Sequence, residues 1–234
     1  MIHKFVFLKR KADLSNQAFN DYWAGPHASE LAARSDVWTG VGAYKQNRVL
    51  PAIEGITLEP LWDGLVQVEL QGRPSSAELR DDPRNRQVGR DDERFIDLDQ
   101  VVQFFAEAKV VLDGPERGLK IISLPRRRPG LSPAEFSHHY RETHGELVRH
   151  NEAFVKYANR YVQHHAFADT VKTTGGFSPY DGISEFWFDS LDHARAAWGD
   201  PSYMAELRAD EKNFVGSPPS HRLIVEEVAI GRRA

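Results

Sequence analysis

The chain alternates short apolar runs with stripes of helical period. Leu119 to Leu124 is an apolar run ending at Pro125-Arg126-Arg127-Arg128-Pro129-Gly130, which predicts a strand and a turn. Ser132-Pro133-Ala134-Glu135 has the form of a helix start: a serine cap, a proline at the first helical position and a glutamate three residues after the cap. Phe136, Tyr140, Leu147 and Val148 continue from it at helical spacing, with Gly145 weakening the middle. Tyr161 to Phe167 and Gly182 to Phe188 predict strands, Ser190 to about Phe214 a second helix, and Leu223 to Ile230 a last strand. The order is βαββαβ.

The first half repeats this order: Ile2 to Leu8, a helix from Ser15, Val41 to Leu50, Gly64 to Leu70, a helix from about Ser75, and Val101 to Leu112. Leu14-Ser15, Phe19, Trp23, His27, Tyr44 and Gln46 recur 117 residues later as Leu131-Ser132, Phe136, Tyr140, His144, Tyr161 and Gln163. Asp63-Gly64 returns as Asp181-Gly182 and Asp82-Pro83 as Asp200-Pro201 at an offset of 118, and Phe95 as Phe214 at 119. Two long copies predict two fused domains rather than a solenoid. The expected division is residues 1–112, a linker at 113–117 around Asp113-Gly114-Pro115-Glu116, and residues 118–234. Each βαββαβ half predicts a four-stranded antiparallel sheet with its helices on one face, and the bare faces pack together. The expected fold class is α+β: two fused ferredoxin-like βαββαβ domains forming an intramolecular dimeric α+β barrel, a pseudo-dimer.

Composition narrows the function classes. With 41% hydrophobic and 27% charged residues and a formal charge of −4, the chain has no positive excess to attract nucleic acid. No run approaches the roughly 20 apolar residues that span a bilayer, and Met1 to Leu14 carries charges where a secretion signal is apolar. No membrane partner and a cytoplasmic location are expected. The absence of cysteine excludes thiol nucleophiles, thiolate metal sites and disulfides.

Positions i and i+4 share a helix face, so Trp23 with His27 and Tyr140 with His144 point the same way. Each histidine is placed to act as a base or acid near neutral pH, or to cap the loop where its helix breaks. On the third strands, if Phe186 and Phe188 face the helices, then Ile183, Glu185 and Trp187 face the enclosed cavity, and so do Leu65, Gln67 and Glu69. A carboxylate there, Glu69 or Glu185, is expected either to have a raised pKa or to be edge-exposed or salt-bridged. On the second strands Tyr161, Gln163, His165 and Phe167 share one face and Val162, His164 and Ala166 the other, with the inner face undecided. Tyr44 and Gln46 match Tyr161 and Gln163. These groups could orient a carbonyl or phenol, or serve the fold alone. Among His138, His139, His144, His164 and His165 no pair has the i, i+4 spacing of a helical zinc site, so no metal is expected. Lys9-Arg10-Lys11 and Arg126-Arg127-Arg128 occupy equivalent turns, either solvated or attracting an anion. No phosphate loop, nucleophile elbow or dinucleotide fingerprint is present.

The second half, through Pro129-Gly130-Leu131-Ser132, Phe136, Tyr140, His144-Gly145, Tyr161-Val162-Gln163-His164, Tyr180-Asp181-Gly182-Ile183, Phe188-Asp189-Ser190 and Asp200-Pro201-Ser202-Tyr203, resembles the EthD family of the dimeric α+β barrel superfamily. The first half resembles it through Leu14-Ser15, Phe19, Tyr22-Trp23, His27, Tyr44, Gln46 and Asp63-Gly64, but has Gln67-Val68-Glu69-Leu70 where the second has Glu185-Phe186-Trp187-Phe188. The resemblance implies a ferredoxin-like fold that dimerises into a barrel, and members linked to degradation of unusual organic compounds and to cyclisation or dehydration in aromatic polyketide pathways. Related members of the wider superfamily oxidise quinol-type substrates without a cofactor.

The expected function is a cofactor-independent lyase, dehydratase or cyclase acting on a hydrophobic aromatic or phenolic molecule held in the barrel cavity between the two sheets, in catabolism or secondary metabolism. His144, His27, Glu185 and Glu69 would move protons, and Tyr140, Trp23, Tyr161, Gln163, Tyr44, Gln46, Gln67, Trp187 and His165 would bind substrate. The alternatives are a cofactor-free monooxygenase and a non-catalytic binding or accessory protein. Fusion leaves homodimerisation of two such chains open.

Overall fold

A computed structural model describes residues 1–72, 91–168, 172–173, 180–216 and 220–230. Eight strands close into an antiparallel barrel: β1 (Ile2–Leu8), β2 (Val41–Val49), β3 (Gly64–Leu70), β4 (Val102–Leu112), β5 (Leu119–Leu124), β6 (Ala158–Ala166), β8 (Gly182–Phe188) and β9 (His221–Ala229), while the two-residue β7 (Lys172–Thr173) pairs with the start of β4. Around the ring the order is β1-β3-β2-β9-β5-β8-β6-β4, and β4 returns to β1. Residues 1–112 supply the run β4-β1-β3-β2 and the rest of the chain β9-β5-β8-β6, the same order of first, second, third and fourth strands. Two seams join the runs, β2 with β9 and β4 with β6.

The described α-helices of the first half are α1 (Asn16–Tyr22) and α2 (Ala28–Ala33), and those that follow β5 are α3 (Pro133–His138), α4 (Gly145–His150) and α5 (Glu152–Tyr157). The expected strands form within a few residues of their predicted ends; β6 starts three residues early, at Ala158. The helix expected from about Ser75 lies outside the described residues. The helix expected from Ser190 to Phe214 is instead divided into α6 (Leu191–Gly199), a π-helical turn at Tyr203–Leu207 and α7 (Arg208–Phe214). Asp200 before Pro201 is extended at ψ 137°, since a proline disfavours helical backbone in the residue ahead of it.

Alternation decides what each face touches. Phe5, Phe7, Leu65, Phe104, Ile122, Ile183 and Leu223 point inward and pack as one buried cluster that fills the barrel. The outer face of the second run carries Ile121, Tyr161, Phe186, Phe188 and Ile224, covered by the helices through Val148, Phe154, Trp198 and Leu207. The repeated Asp-Gly now has a physical account. Asp63 Oδ2 accepts from the Arg10 backbone N–H at 3.0 Å, and Asp181 Oδ2 from that of Arg127 at 2.7 Å, so both aspartates pin the basic turns. The glycine makes room for an aromatic ring: a Cβ on Gly64 would meet Trp23 at 2.5 Å, and one on Gly182 would meet Tyr140 at 3.1 Å.

Candidate functional site in the second half

The first helix of the second half is built to aim two side chains. Ser132 and Glu135 form the capping box the sequence predicts, opening α3. A π-helical turn at His139–His144 follows, and helical backbone resumes in α4. Single π turns inside helices re-aim side chains and often sit at functional sites. Here the turn buries Tyr140 and His144 against the sheet. Gln163 fastens it, its Nε2 donating to the Tyr140 carbonyl at 2.8 Å; Gln46 does the same to the Trp23 carbonyl at 3.0 Å.

His144 Nδ1 lies 3.0 Å from Asp210 Oδ2 on α7, and His139 Nε2 lies 2.8 Å from the other oxygen. Burial raises the Asp210 carboxyl, but the two imidazoles outweigh it and hold it below its ordinary value. An aspartate on Nδ1 fixes the ring and its tautomer, which leaves Nε2 as the atom that can take a proton.

His144 lines a cleft between the helices and the outer face of the sheet. Its floor is Ser184, Ser123 and Arg222, part of a row across four strands that begins at Gln163 and is set by the register of β6 with β8, β8 with β5 and β5 with β9. The walls include Tyr140, Phe154, Phe186, Trp198, Tyr203 and Phe214. The Tyr140 hydroxyl bonds to Ser184 Oγ, and Tyr203 donates to Glu211 Oε1 at 2.9 Å while accepting from Arg222 Nη2 at 3.0 Å. Burial pushes the Tyr140 phenol well above its ordinary value; burial, against the pull of Arg222, pushes that of Tyr203 up to about 12. Both therefore remain protonated hydrogen-bonding groups at neutral pH. The cavity volume of the cleft is about 30 Å³. That is room for about two waters, so a ring-sized ligand must displace lining side chains.

The first half keeps the histidine pair and loses the cleft floor. His27 Nδ1 lies 2.7 Å from Asp91 Oδ2, yet the matching row across the sheet reads Gln46, Val66, Val6 and Gln103. Trp23, fully buried, replaces Tyr140 and packs with Phe19 and Val66. The hydroxyls and the arginine are gone from this row.

The expected residues divide between two faces of one sheet. Inside the barrel are Gln67, Glu185 and Trp187, as expected, with Glu69 partly buried further along the same strand. Outside, under the helices, are His27, His144, Trp23, Tyr140, Tyr44, Gln46, Tyr161, Gln163 and His165, which fixes the undecided face of the second strand. Tyr161 stacks on Phe186 with ring centroids 4.5 Å apart, and His165 Nδ1 meets Ser137 Oγ at 3.1 Å. His144 and Glu185 thus lie on opposite sides of the sheet and do not form the expected proton-moving pair, and the barrel interior expected to hold the substrate is packed with side chains instead.

Glu185 is also not the carboxyl of raised pKa. Its Oε1 lies 2.6 Å from Lys120 Nζ and its Oε2 lies 2.6 Å from His164 Nε2 and 3.2 Å from Gln67 Nε2. Burial raises its pKa, but Lys120 and His164 reverse that and hold it well below the ordinary range. Lys120 in turn donates to Asn47 Oδ1 at 2.9 Å, pairs with Glu227 and lies 4.9 Å from the Trp187 ring centroid. This is a buried ionic network in the middle of the barrel. The basic turns are engaged too: Lys9 and Arg10 pair with Asp63, and Arg127 with Asp181.

Asp91, Asp210, Ser184, Ser123 and Arg222 go unread in the sequence. Asp91 and Asp210 are 119 residues apart, the same spacing as Phe95 and Phe214, so the repeat carried that signal. Ser184 and Arg222 emerge only from strand register.

Fold and site define a closed α+β barrel with a helix-covered, aromatic cleft outside its second four-stranded run. Residues 128–218 match the EthD domain. The structure is similar to an anthrone oxidase-like protein (10% identity, covering 100% of this chain and 94% of that one, TM-score 0.62). It is also similar to candidate monooxygenases from Lactobacillus acidophilus NCFM (8% identity, 99% and 96% covered, TM-score 0.53) and Fusobacterium nucleatum subsp. nucleatum (9% identity, 98% and 92% covered, TM-score 0.54). At these identities the likeness is one of fold. No curated protein matches the sequence. Among the described residues no helix is long and apolar enough to cross a membrane, and no group of three or more His, Cys, Asp or Glu side chains could hold a metal ion.

Proposed function

We propose that the chain is a cofactor-independent monooxygenase of a small phenolic aromatic molecule, working at His144 in the second half. The observation that carries this reading is the His144–Asp210 pair opening into a cleft walled by aromatic rings. The similar proteins described as anthrone oxidase-like and as candidate monooxygenases favour it over the lyase reading. His144 Nε2 takes a proton from the substrate, giving an electron-rich anion; Asp210 stabilises the resulting imidazolium. The anion passes an electron to dioxygen, the carbon–oxygen bond forms, and the imidazolium protonates the peroxide. Loss of the second hydrogen from the same carbon breaks the O–O bond and releases water. In sum, one methylene carbon and one dioxygen give one carbonyl and one water, a balance that needs no outside reductant. Tyr140 and Ser184 would orient the substrate oxygen by hydrogen bonds.

We read the two halves as a tandem pair of EthD-like domains whose first copy supports the barrel. The test is oxygen uptake with a panel of phenolic compounds, with product mass read after labelling by isotopic dioxygen. One labelled oxygen per turnover is expected. Equal product formation without oxygen would return the lyase reading.

A further inference from the structure

Arg222 is a cation on the cleft floor with no carboxylate of its own among the described residues. Arg127, Arg141, Arg149, Arg160, Arg195 and Arg208 of the same half each pair with an Asp or Glu. Arg222 instead donates from Nη2 to the Tyr203 hydroxyl at 3.0 Å and stands over the Trp198 ring, 4.3 Å from its centroid. Glu211, the carboxylate in the cleft lining, is occupied by Arg208 and by Tyr203. A guanidinium has five N–H donors, and among the described residues the Tyr203 hydroxyl engages one of those of Arg222. The position is specific to the open half. Arg222 pairs with Ser123 across β9 and β5, and the matching pair across β4 and β1 is Gln103 with Val6. The cation and the two serines occur together, and in the half where Trp23 fills the space all three are replaced.

From this juxtaposition we infer that the cleft selects an aromatic acid: a planar ring carrying a carboxylate, received by Arg222, with its phenolic oxygen toward Tyr140 and Ser184. The inference rests on the cleft being the substrate site and adds the charge of the substrate. Planar carboxylates match the guanidinium fork in two parallel hydrogen bonds, and a ring beside Trp198 extends the aromatic stack already made by the guanidinium.

The test is a binding measurement that needs no turnover. Titration of the full chain with 2-hydroxybenzoate and with its methyl ester, followed by calorimetry without oxygen, compares one ring with and without the charge. The acid is expected to bind about tenfold tighter, the return for one charge-assisted contact. R222Q should abolish that preference, the acid losing more affinity than the ester, with R222K intermediate; circular dichroism of the variants reads their folding. Equal binding of acid and ester by the parent chain, an unchanged preference in R222Q, or no saturable binding of either probe overturns the inference. Phenol competing as well as 2-hydroxybenzoate would assign Arg222 to a phenolate and overturn it too. If the preference is present but no phenolic compound is oxygenated, the oxygenase reading fails and this one stands.

Discussion

His144 Nδ1 sits 3.0 Å from Asp210 Oδ2, and His27 Nδ1 sits 2.7 Å from Asp91 Oδ2. The same pair, built twice, lines a cleft floored by two serines and an arginine once and packs beside Phe95 the other time. Kinetics should therefore separate them. H144A is expected to lower kcat by about 10²–10⁴, the ordinary contribution of a positioned base. D210N should lower it as well, through the wrong tautomer, while H27A and D91N stay near the parent rate. Steady-state oxygen uptake by the four variants checks this; a loss in H27A equal to that in H144A would move the site or double it.

Tyr140 and Ser184 give a thermodynamic cycle. S184V leaves the buried Tyr140 hydroxyl with the Ile183 carbonyl, at 3.3 Å, and the Tyr161 hydroxyl as its partners. Stripping one side of a buried hydrogen bond costs about 1–3 kcal/mol, whereas removing both sides can be nearly neutral. Y140F/S184V should accordingly be more stable in urea than S184V alone. If the two melt together, the hydroxyl contact contributes nothing.

The buried pair of Lys120 and Glu185 makes a steeper prediction. K120M leaves a carboxylate, 2% exposed, with His164 and Gln67 as its remaining partners, and breaking such a pair typically costs about 3–5 kcal/mol. K120M/E185Q removes the stranded charge and should recover a good part of the loss. Chemical denaturation of the two variants distinguishes this from simple loss of packing, which would leave the double variant no better.

Stability should fall on the acid side from two sources of one sign. His3 is lowered to about 3 by burial and the neighbouring His164, and His165 to about 3 by burial and Arg141. Between that value and the ordinary imidazole value the unfolded chain binds a proton the folded chain refuses, so each histidine removes about 1.4 kcal/mol per pH unit as pH falls through the interval. Glu185, held low, contributes stability above the unfolded carboxyl value and loses it as pH drops toward its folded value. Melting of H165N across mildly acidic pH should show a flatter dependence than the parent; an identical slope would mean His165 titrates freely.

The strands were legible because alternation and apolar runs report which residues a sheet buries, and Ile183, Glu185 and Trp187 do face the barrel interior. The second strand was ambiguous for a physical reason: Tyr161 to Phe167 carries ring or amide groups on both faces, and both are buried, so polarity could not choose. The charge state of Glu185 depended on Lys120, a residue one strand away in the barrel and 65 positions away in sequence. Arg222 was invisible for the same reason: only register places it beside Ser123.

The seams of β2 with β9 and of β4 with β6 are both made within one chain. An assembly of separate subunits has a dissociation constant, and its wall thins as protein is diluted; here closure is part of folding itself. The sheet that backs the cleft is therefore complete at any protein concentration.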